Sequence, residues 1–464
     1  MTRKFDGPVT VLVPTGSLGA GAREGEVRYG IERGAQVIAS DAGSTDSGAA
    51  YLALGISKNS RGSVKRDLAI IIRAAAEAKI PIVVGTSGQA GGDMNLDWTR
   101  DIAVEVAREL GIKPKIALLY SEQEKEIVKA KNAAGKIRPL APLGPLDDAT
   151  IDACTHIVAV LGPEPYISAL EAGADIILGG RTTDTAVLSC FPLMMGAPSG
   201  LSWHAAKIGE CGAQCTATRG VGAGVLLKIH SDAFYVEPLT PETSCTTHSV
   251  SAHMLYENSD PFMLVEPGGV LDVTDAVYEQ SDPRTVKVTG SRWTRRPYTI
   301  KLEGAGAGQF QTIMLVGIQD PDVLSRIDEF HDGMLAALGG RVHETIGEAA
   351  GDFQISLRLY GWNAVSGEKL PGDTPPPREI GVLFVATAAT QEMATQIAKA
   401  CNPYFLHFPV LMDKELPSYG FAFSPAEIER GPVYEFKLNH VVETDDPMDL
   451  VRTVWLDLAD AENA

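Results

Sequence analysis

The chain is poor in the residues that announce most familiar sites. It has six cysteines in 464 residues, too few and too scattered for a disulfide framework, so reduced thiols and a cytoplasmic setting are expected. The one close pair, Cys211 and Cys215, has no His/Cys set beside it, and a structural zinc wants four such ligands. Only Cys401 follows Cys245, which leaves no ligand set for an iron–sulfur cluster in the C-terminal part. None of the nine histidines precedes His156. No two share a His-x-x-x-His or His-x-His spacing, which speaks against a mononuclear zinc hydrolase. Basic charge is also short: 40 Lys and Arg against 59 Asp and Glu give a formal net charge of −19. Nucleic acid and anionic membranes need a cationic face, so neither is expected as a partner. No uninterrupted apolar run approaches the roughly 18 residues of a membrane span. The first residues, Met1 to Asp6, carry no apolar signal core. A Gly-x-Ser-x-Gly elbow is missing as well, which weakens an α/β-hydrolase reading.

What the chain does have is one design used four times before residue 190. A short apolar strand runs into a loop of Gly, Ser or Thr with a polar anchor. The strands are Val9 to Pro14, Gln36 to Ser40, Ile80 to Val84 and Asp175 to Leu178. Their loops are Thr15 to Gly21, Asp41 to Asp46, Gly85 to Asp93 and Gly179 to Asp184. Apolar runs of this length read as parallel strands buried on both faces. Strand ends of one polarity share one sheet edge, where open α/β folds bind ligands. Helical spacing follows over Ser63 to Lys79, over Trp98 to Leu110 with Asp97 as N-cap and Gly111 beyond the end, and over Glu122 to Asn132. Further strands are expected at Lys115 to Tyr120 and His156 to Leu161. Leu201 to Gly224 reads as polar and Gly-rich, and Val225 to Ile229 and Ala233 to Pro238 as strands.

The last third changes grammar. Strands over Gln311 to Ile318, Phe353 to Tyr360, Glu379 to Thr387 and Tyr434 to Val441 alternate with helices over Asp320 to Leu338 and Gln391 to Cys401. That is the ferredoxin-like βαββαβ pattern. The expected fold class is therefore α/β: a parallel-sheet N-terminal domain over residues 1–294 with helices on both faces, and a C-terminal α+β ferredoxin-like domain over residues 295–464. The acidic tail from Glu443 is expected to fray. A ferredoxin-like sheet commonly packs on another subunit, so a homo-oligomer is expected.

Three stretches carry a family resemblance: Glu171 to Asp184 (Glu-Ala-Gly-Ala-Asp-Ile-Ile-Leu-Gly-Gly-Arg-Thr-Thr-Asp), Ile208 to Gln214 (Ile-Gly-Glu-Cys-Gly-Ala-Gln), and Val265 to Gly269 (Val-Glu-Pro-Gly-Gly). With these the chain resembles the acyclic terpene utilisation (AtuA-like) family. The resemblance implies a catabolic setting beside acyl-CoA enzymes acting on acyclic terpenes and other branched acids. It supplies no catalytic residues. The chain departs from typical members at Asp41 to Asp46, which points to a different substrate.

The loops themselves suggest chemistry. Asp41, Asp46 and Asp184 follow strand ends and Glu210 sits in the Gly-rich segment. Carboxylates that share a poorly solvated crevice repel, one pKa rises, and that group can act as acid or base near neutral pH. The competing reading of each is a helix cap or turn closure. Gly16, Ser44, Thr45, Gly85, Thr86, Ser87, Gly88, Asp93, Arg181 and Thr182 are the candidate substrate contacts. Backbone N–H groups of Gly85 to Gly88 would cradle an anion and Arg181 would clamp it, unless Arg181 pairs with a neighbouring Asp instead. No cofactor is expected. A magnesium or calcium ion on Asp41, Asp46 and Asp93 stays open, since hard ions take oxygen ligands. Gly16-x-x-Gly19-x-Gly21 is not the dinucleotide order Gly-x-Gly-x-x-Gly. His248 is a weaker candidate base and Cys211 a weaker candidate nucleophile.

These features suit a lyase of the hydratase/dehydratase type, acting on a small branched or hydroxylated carboxylic acid or its CoA ester. Asp41 or Asp46 would be the base and Asp184 or Glu210 the opposing acid. Two other classes stay open: a hydrolase of an amide, lactone or thioester, and a non-catalytic partner subunit of an acyl-CoA carboxylase system.

Overall fold

A computed structural model describes residues 5–218, 220–407 and 419–459. The protein is a mixed α/β chain with several sheets. It divides into two compact units, one holding the residues up to Gly306 and those from Glu435 onward, the other Ala307–Tyr434. The sequence places a single boundary at 294/295. The observed division falls later, inside the strand Thr299–Ile318, and the C-terminal segment returns to the first unit.

The first unit is built on a sheet that has ten strands among the described residues. Five at its centre are parallel: Val9–Val13, Val37–Asp41, Ile82–Gly85, Ile176–Gly179 and Lys115–Tyr120, in that spatial order. Their residues alternate between two cores. Val11, Ala39, Val83 and Ile177 feed one; Leu12, Ile38, Val84 and Leu178 feed the other. That is why these stretches are mostly apolar on both faces and not at every second position. The sheet is not parallel throughout. Val225–Ile229 and Phe234–Pro238 form an antiparallel hairpin that extends it at one side. At the other side Arg452–Asp457 pairs antiparallel with Lys115–Tyr120. The tail expected to fray is thus an edge strand up to that point. His156–Val160 also departs from expectation, because it pairs antiparallel with Lys301–Ala305, outside this sheet.

Helices follow their local signals. Arg61–Ala78 starts at Ser60, whose side chain accepts from Ser63 N–H, and buries Val64, Leu68, Ile71, Ile72 and Ala75. The next helix spans Asp93–Leu110 and ends on Gly111 at φ 67°. It begins a turn earlier than Asp97, which is instead a helical residue accepting from the Tyr120 hydroxyl at 2.6 Å. Ser199–Gly209 is a fully helical, almost wholly buried segment. Its polar, Gly-rich sequence hid this, because the polar residues there satisfy one another internally.

In the second unit the part of the long strand from residue 307 lies between Ile380–Ala388 and the start of Ile428–Glu443, with Gln354–Tyr360 at the edge beyond Ile380–Ala388. Ile327–Thr345 buries Phe330, Met334, Leu338 and Val342, and Gln391–Cys401 buries Ala394, Ile397 and Ala398. Among the described residues, no helix is long and apolar enough to cross a membrane.

Candidate functional site

The parallel strands of the first unit deliver their loops to one cleft of about 1010 Å³. It is lined by Gly16 and Ser17 from the first loop, Asp41, Gly43, Ser44 and Asp46 from the second, Gln89 from the third, and Asp184 from the fourth. Glu210, Cys211, Tyr256 and Glu257 close it from the later segments. A smaller opening of about 420 Å³ shares Asp46, Asp184, Glu210 and Glu257 with it, and adds Arg181, Lys207, Glu266 and Lys301. Two glycines are needed for this convergence. A Cβ on Gly16 would sit 2.5 Å from the carbonyl oxygen of Cys211, and one on Gly43, at φ +146°, would sit 2.5 Å from the Cα of Gln89.

Asp41 ends its strand 5 % exposed. One carboxylate oxygen accepts from Gly43 N–H at 2.8 Å. The other, Oδ1, is buried with no hydrogen-bond partner. Burial, and then the charge of Asp184, push the Asp41 carboxyl well above the usual carboxylate range; Gly43 and Arg181 oppose the shift. Asp184 opens a helix capped by Thr183. It too is raised, to about 6, chiefly by burial and against the pull of Arg181 and Lys207, with Asp46 and Glu257 adding to the rise. About a quarter of its side chain, 27 %, still meets solvent, so burial acts less on Asp184 than on Asp41. Glu210 is pushed up to about 8 by burial, against its pairing with Lys207. Glu266, which accepts from the Thr185 hydroxyl at 2.8 Å, is raised by burial to about 7.

Asp46 behaves differently. It is exposed in a short turn where Ser44 and Asp46 hydrogen-bond each other through side chain and backbone. It lines both openings.

Arg181 does not face the cleft as an anion clamp. Its Nε donates to Glu303 at 3.0 Å and its Nη1 to Thr182 O at 3.0 Å and Thr86 Oγ1 at 3.3 Å, with Asp184 at 3.8 Å. Glu303 also takes Lys301 at 2.7 Å and the Thr45 hydroxyl at 2.9 Å. Burial works against the charge of Glu303, but Arg181 and Lys301 outweigh it and hold the carboxyl at about 2. Thr45 and Thr182 are therefore structural partners of this buried pair. The structural alternative for Arg181, an ion pair with a neighbouring acid, is the one the fold uses.

The Gly85 to Gly88 backbone is likewise committed. Thr86 N–H donates to Gly180 O at 2.9 Å and Ser87 N–H to Gly179 O at 3.0 Å, and both residues are fully buried. Thr86 takes a φ of 47° and Gln89 one of 86°, conformations that cost about 1–3 kcal/mol each and persist only where surroundings fix them. Asp93 lines neither opening; it pairs with Arg452 at 2.9 Å. That takes it out of the Asp41/Asp46/Asp93 hard-ion set.

The first glycine loop holds an anion, but one of the chain's own. Asp67, with no exposed surface, accepts from Gly19 N–H at 2.8 Å and Gly21 N–H at 3.0 Å and pairs with Arg66 at 2.8 Å. Replacing Asp67 by Ala should cost on the order of 1–3 kcal/mol, since buried donors lose their acceptor. Urea unfolding should show the loss, and amide exchange at Gly19 and Gly21 should speed up. An unchanged midpoint would rule out this role for Asp67.

Several lining groups had no sequence signal strong enough to select them: Lys58, Gln89, Gln214, Tyr256 and Glu257. Glu303 was assigned to the C-terminal domain. Lys207 was readable in principle, since Lys207 and Glu210 stand one helical turn apart. Glu210, Cys211 and His253 bring one potential ligand atom each within 4.8 Å of one another. The ammonium of Lys207 on Glu210 disfavours a cation there, and no metal is assigned.

With this geometry in place, comparison decides the lineage. A model of the acyclic terpene utilisation family protein AtuA matches residues 61–222 and 236–422. The chain belongs to the AtuA family. The match spans the third and fourth site loops and most of the second unit, but begins after the first two loops and so leaves out Asp41 and Asp46. No curated protein and no solved structure matches the chain.

Proposed function

We propose that this AtuA-family protein is a lyase of the dehydratase type acting on a small hydroxylated carboxylic acid. The observation that supports the reading most is the pair Asp41 and Asp184, two acids raised by burial at the wall of one cleft, with the charge of Asp184 adding to the rise of Asp41. Two acids with pKa values set apart by their environments can divide acid and base roles between them.

In this reading the roles run opposite to the sequence expectation, and the environments support that order. Asp41 is the more deeply buried and keeps its proton, so it is the acid. Asp184 lies beside Arg181 and Lys207 and gives up its proton first, so it is the base. Asp184 would take the proton from the carbon next to the substrate carboxylate. The carbon–carbon double bond forms as the carbon–oxygen bond breaks, and the hydroxyl leaves as water with the proton of Asp41. With Arg181 committed elsewhere and Arg23 on the cleft wall paired with Glu26 at 3.3 Å, Lys58 is the lining cation that would steady the carboxylate. In the second unit the succession of strands and helices, and the strand order, support the ferredoxin-like reading.

The pH profile tests this directly. Turnover should rise through about pH 6 as Asp184 ionises, then fall at higher pH as Asp41 loses its proton. Asp184→Asn should abolish turnover and, in any residual activity, the acid limb. A profile with neither limb would remove the pair from the chemistry. Replacing Lys58 by Met should raise KM about tenfold with little change in kcat, the mark of a contact made equally in ground and transition states. A solvent-derived oxygen in a cleaved acid product would favour the hydrolase instead.

A further inference from the structure

Ligand pockets are usually walled by hydrophobic and aromatic side chains with a few polar groups among them. This cleft reverses the proportion. Among its described lining residues no Leu, Ile, Val, Met or Phe takes part, and Tyr256 is the one aromatic ring. The wall is Gly and Ala backbone with Ser17, Ser44, Asn59, Gln89 and Gln214. The adjoining opening adds only Val160 and Leu264 as apolar lining.

A branched hydrocarbon chain gains about 0.8 kcal/mol for each methylene it buries against apolar surface. Here it would find only the methyl groups of Ala20, Ala213 and Ala223, Cys211 and the Tyr256 ring, with no branched or long apolar side chain. It would also strip water from hydroxyls and amides, at about 1–3 kcal/mol for each group left unpaired. Ionised carboxylates accept hydrogen bonds only, and Asp46 and Glu257 on the wall offer acceptors to a row of substrate hydroxyls. The cationic side chains argue in the same direction. Arg23, paired with Glu26 at 3.3 Å, and Lys58 are the two among the described lining residues of the cleft, enough for one carboxylate and short of the several phosphates of a coenzyme A ester. Phosphate sites are made from Arg forks and open N–H loops. The glycine loop here that has that shape is filled by Asp67.

We propose that the cleft takes a compact polyhydroxylated acid in free form, and neither a terpenoid chain nor a coenzyme A thioester. The proposal rests on the dehydratase reading of the same site and narrows its substrate.

Calorimetric titration tests it, with the full chain and its Asp41→Asn variant, using gluconate as the polyhydroxy-acid probe and citronellate and citronelloyl-CoA as the rivals. Gluconate should bind saturably to both proteins. Replacing the exposed lining residue Gln214 by Leu should weaken gluconate about tenfold without moving the melting temperature. Binding of citronellate or its CoA ester in place of gluconate overturns the proposal, and so does binding of none of the three. If gluconate and related aldonates bind but are never dehydrated by the parent protein, the substrate class stands and the lyase reading falls.

Discussion

Asp41→Asn should leave a folded protein whose turnover is lower by about 10²–10⁴-fold, the usual contribution of a positioned acid. The side chain keeps its shape and can still accept from Gly43 N–H. What it loses is the proton delivered to the leaving hydroxyl. Stability should move the other way. The folded pKa of Asp41 lies above its unfolded value. The stability linked to Asp41 is therefore fully present below the ordinary carboxylate range and is lost as pH rises through the folded value. Asparagine carries no charge, so in mildly alkaline buffer the variant should melt no lower than the parent. Steady-state kinetics and a thermal melt on one preparation check both halves. Full activity in a folded Asp41→Asn protein would exclude the acid role. A large fall in melting temperature would mean that Asp41 is held as a structural anion.

The second large effect concerns Arg181, through the buried charge it neutralises. Arg181→Met should destabilise the first unit by about 3–5 kcal/mol, the cost of leaving a buried carboxylate without its partner. The bereft group is Glu303, 3 % exposed, which keeps Lys301 and Thr45 but loses its nearest guanidinium. The depressed pKa of Glu303 gives the sign of the pH dependence. Its stabilising contribution is present above the unfolded glutamate value and is lost as pH falls through about 2. The parent should therefore lose stability on strong acidification more steeply than the variant does. Adding Glu303→Gln to Arg181→Met should restore part of the loss, because neither charge is then buried alone. Urea unfolding of the parent, single and double variants settles it. A single variant within about 0.5 kcal/mol of the parent would show the pair to be energetically idle.

Much of the scaffold was legible because it is written in local signals. The central strands are mostly apolar on both faces, and Ser60, Thr183 and Gly111 mark helix limits through bonds to nearby backbone. The same signals led to the cleft and to four of its carboxylates. What they could not show was which partner each polar group had already chosen. Arg181 looks like an anion clamp until Glu303, more than a hundred residues later, is seen to occupy it. Gly85 to Gly88 looks open until its N–H groups meet the carbonyls of Gly179 and Gly180. The acid and base roles proposed here could not be read from those signals for the same reason. Depth of burial separates Asp41 from Asp184, and burial is set by the whole fold. Ser199–Gly209 escaped as a helix because its polar residues are satisfied in the interior, not by solvent.

The carboxylate of Asp67, seated among the N–H groups of Gly19 and Gly21, makes that bend a lock with its key already turned. A screen of phosphorylated metabolites or nucleotides aimed at this glycine signature would be competing with a tethered resident at enormous effective concentration, so hits from such a screen should be sought elsewhere on the surface.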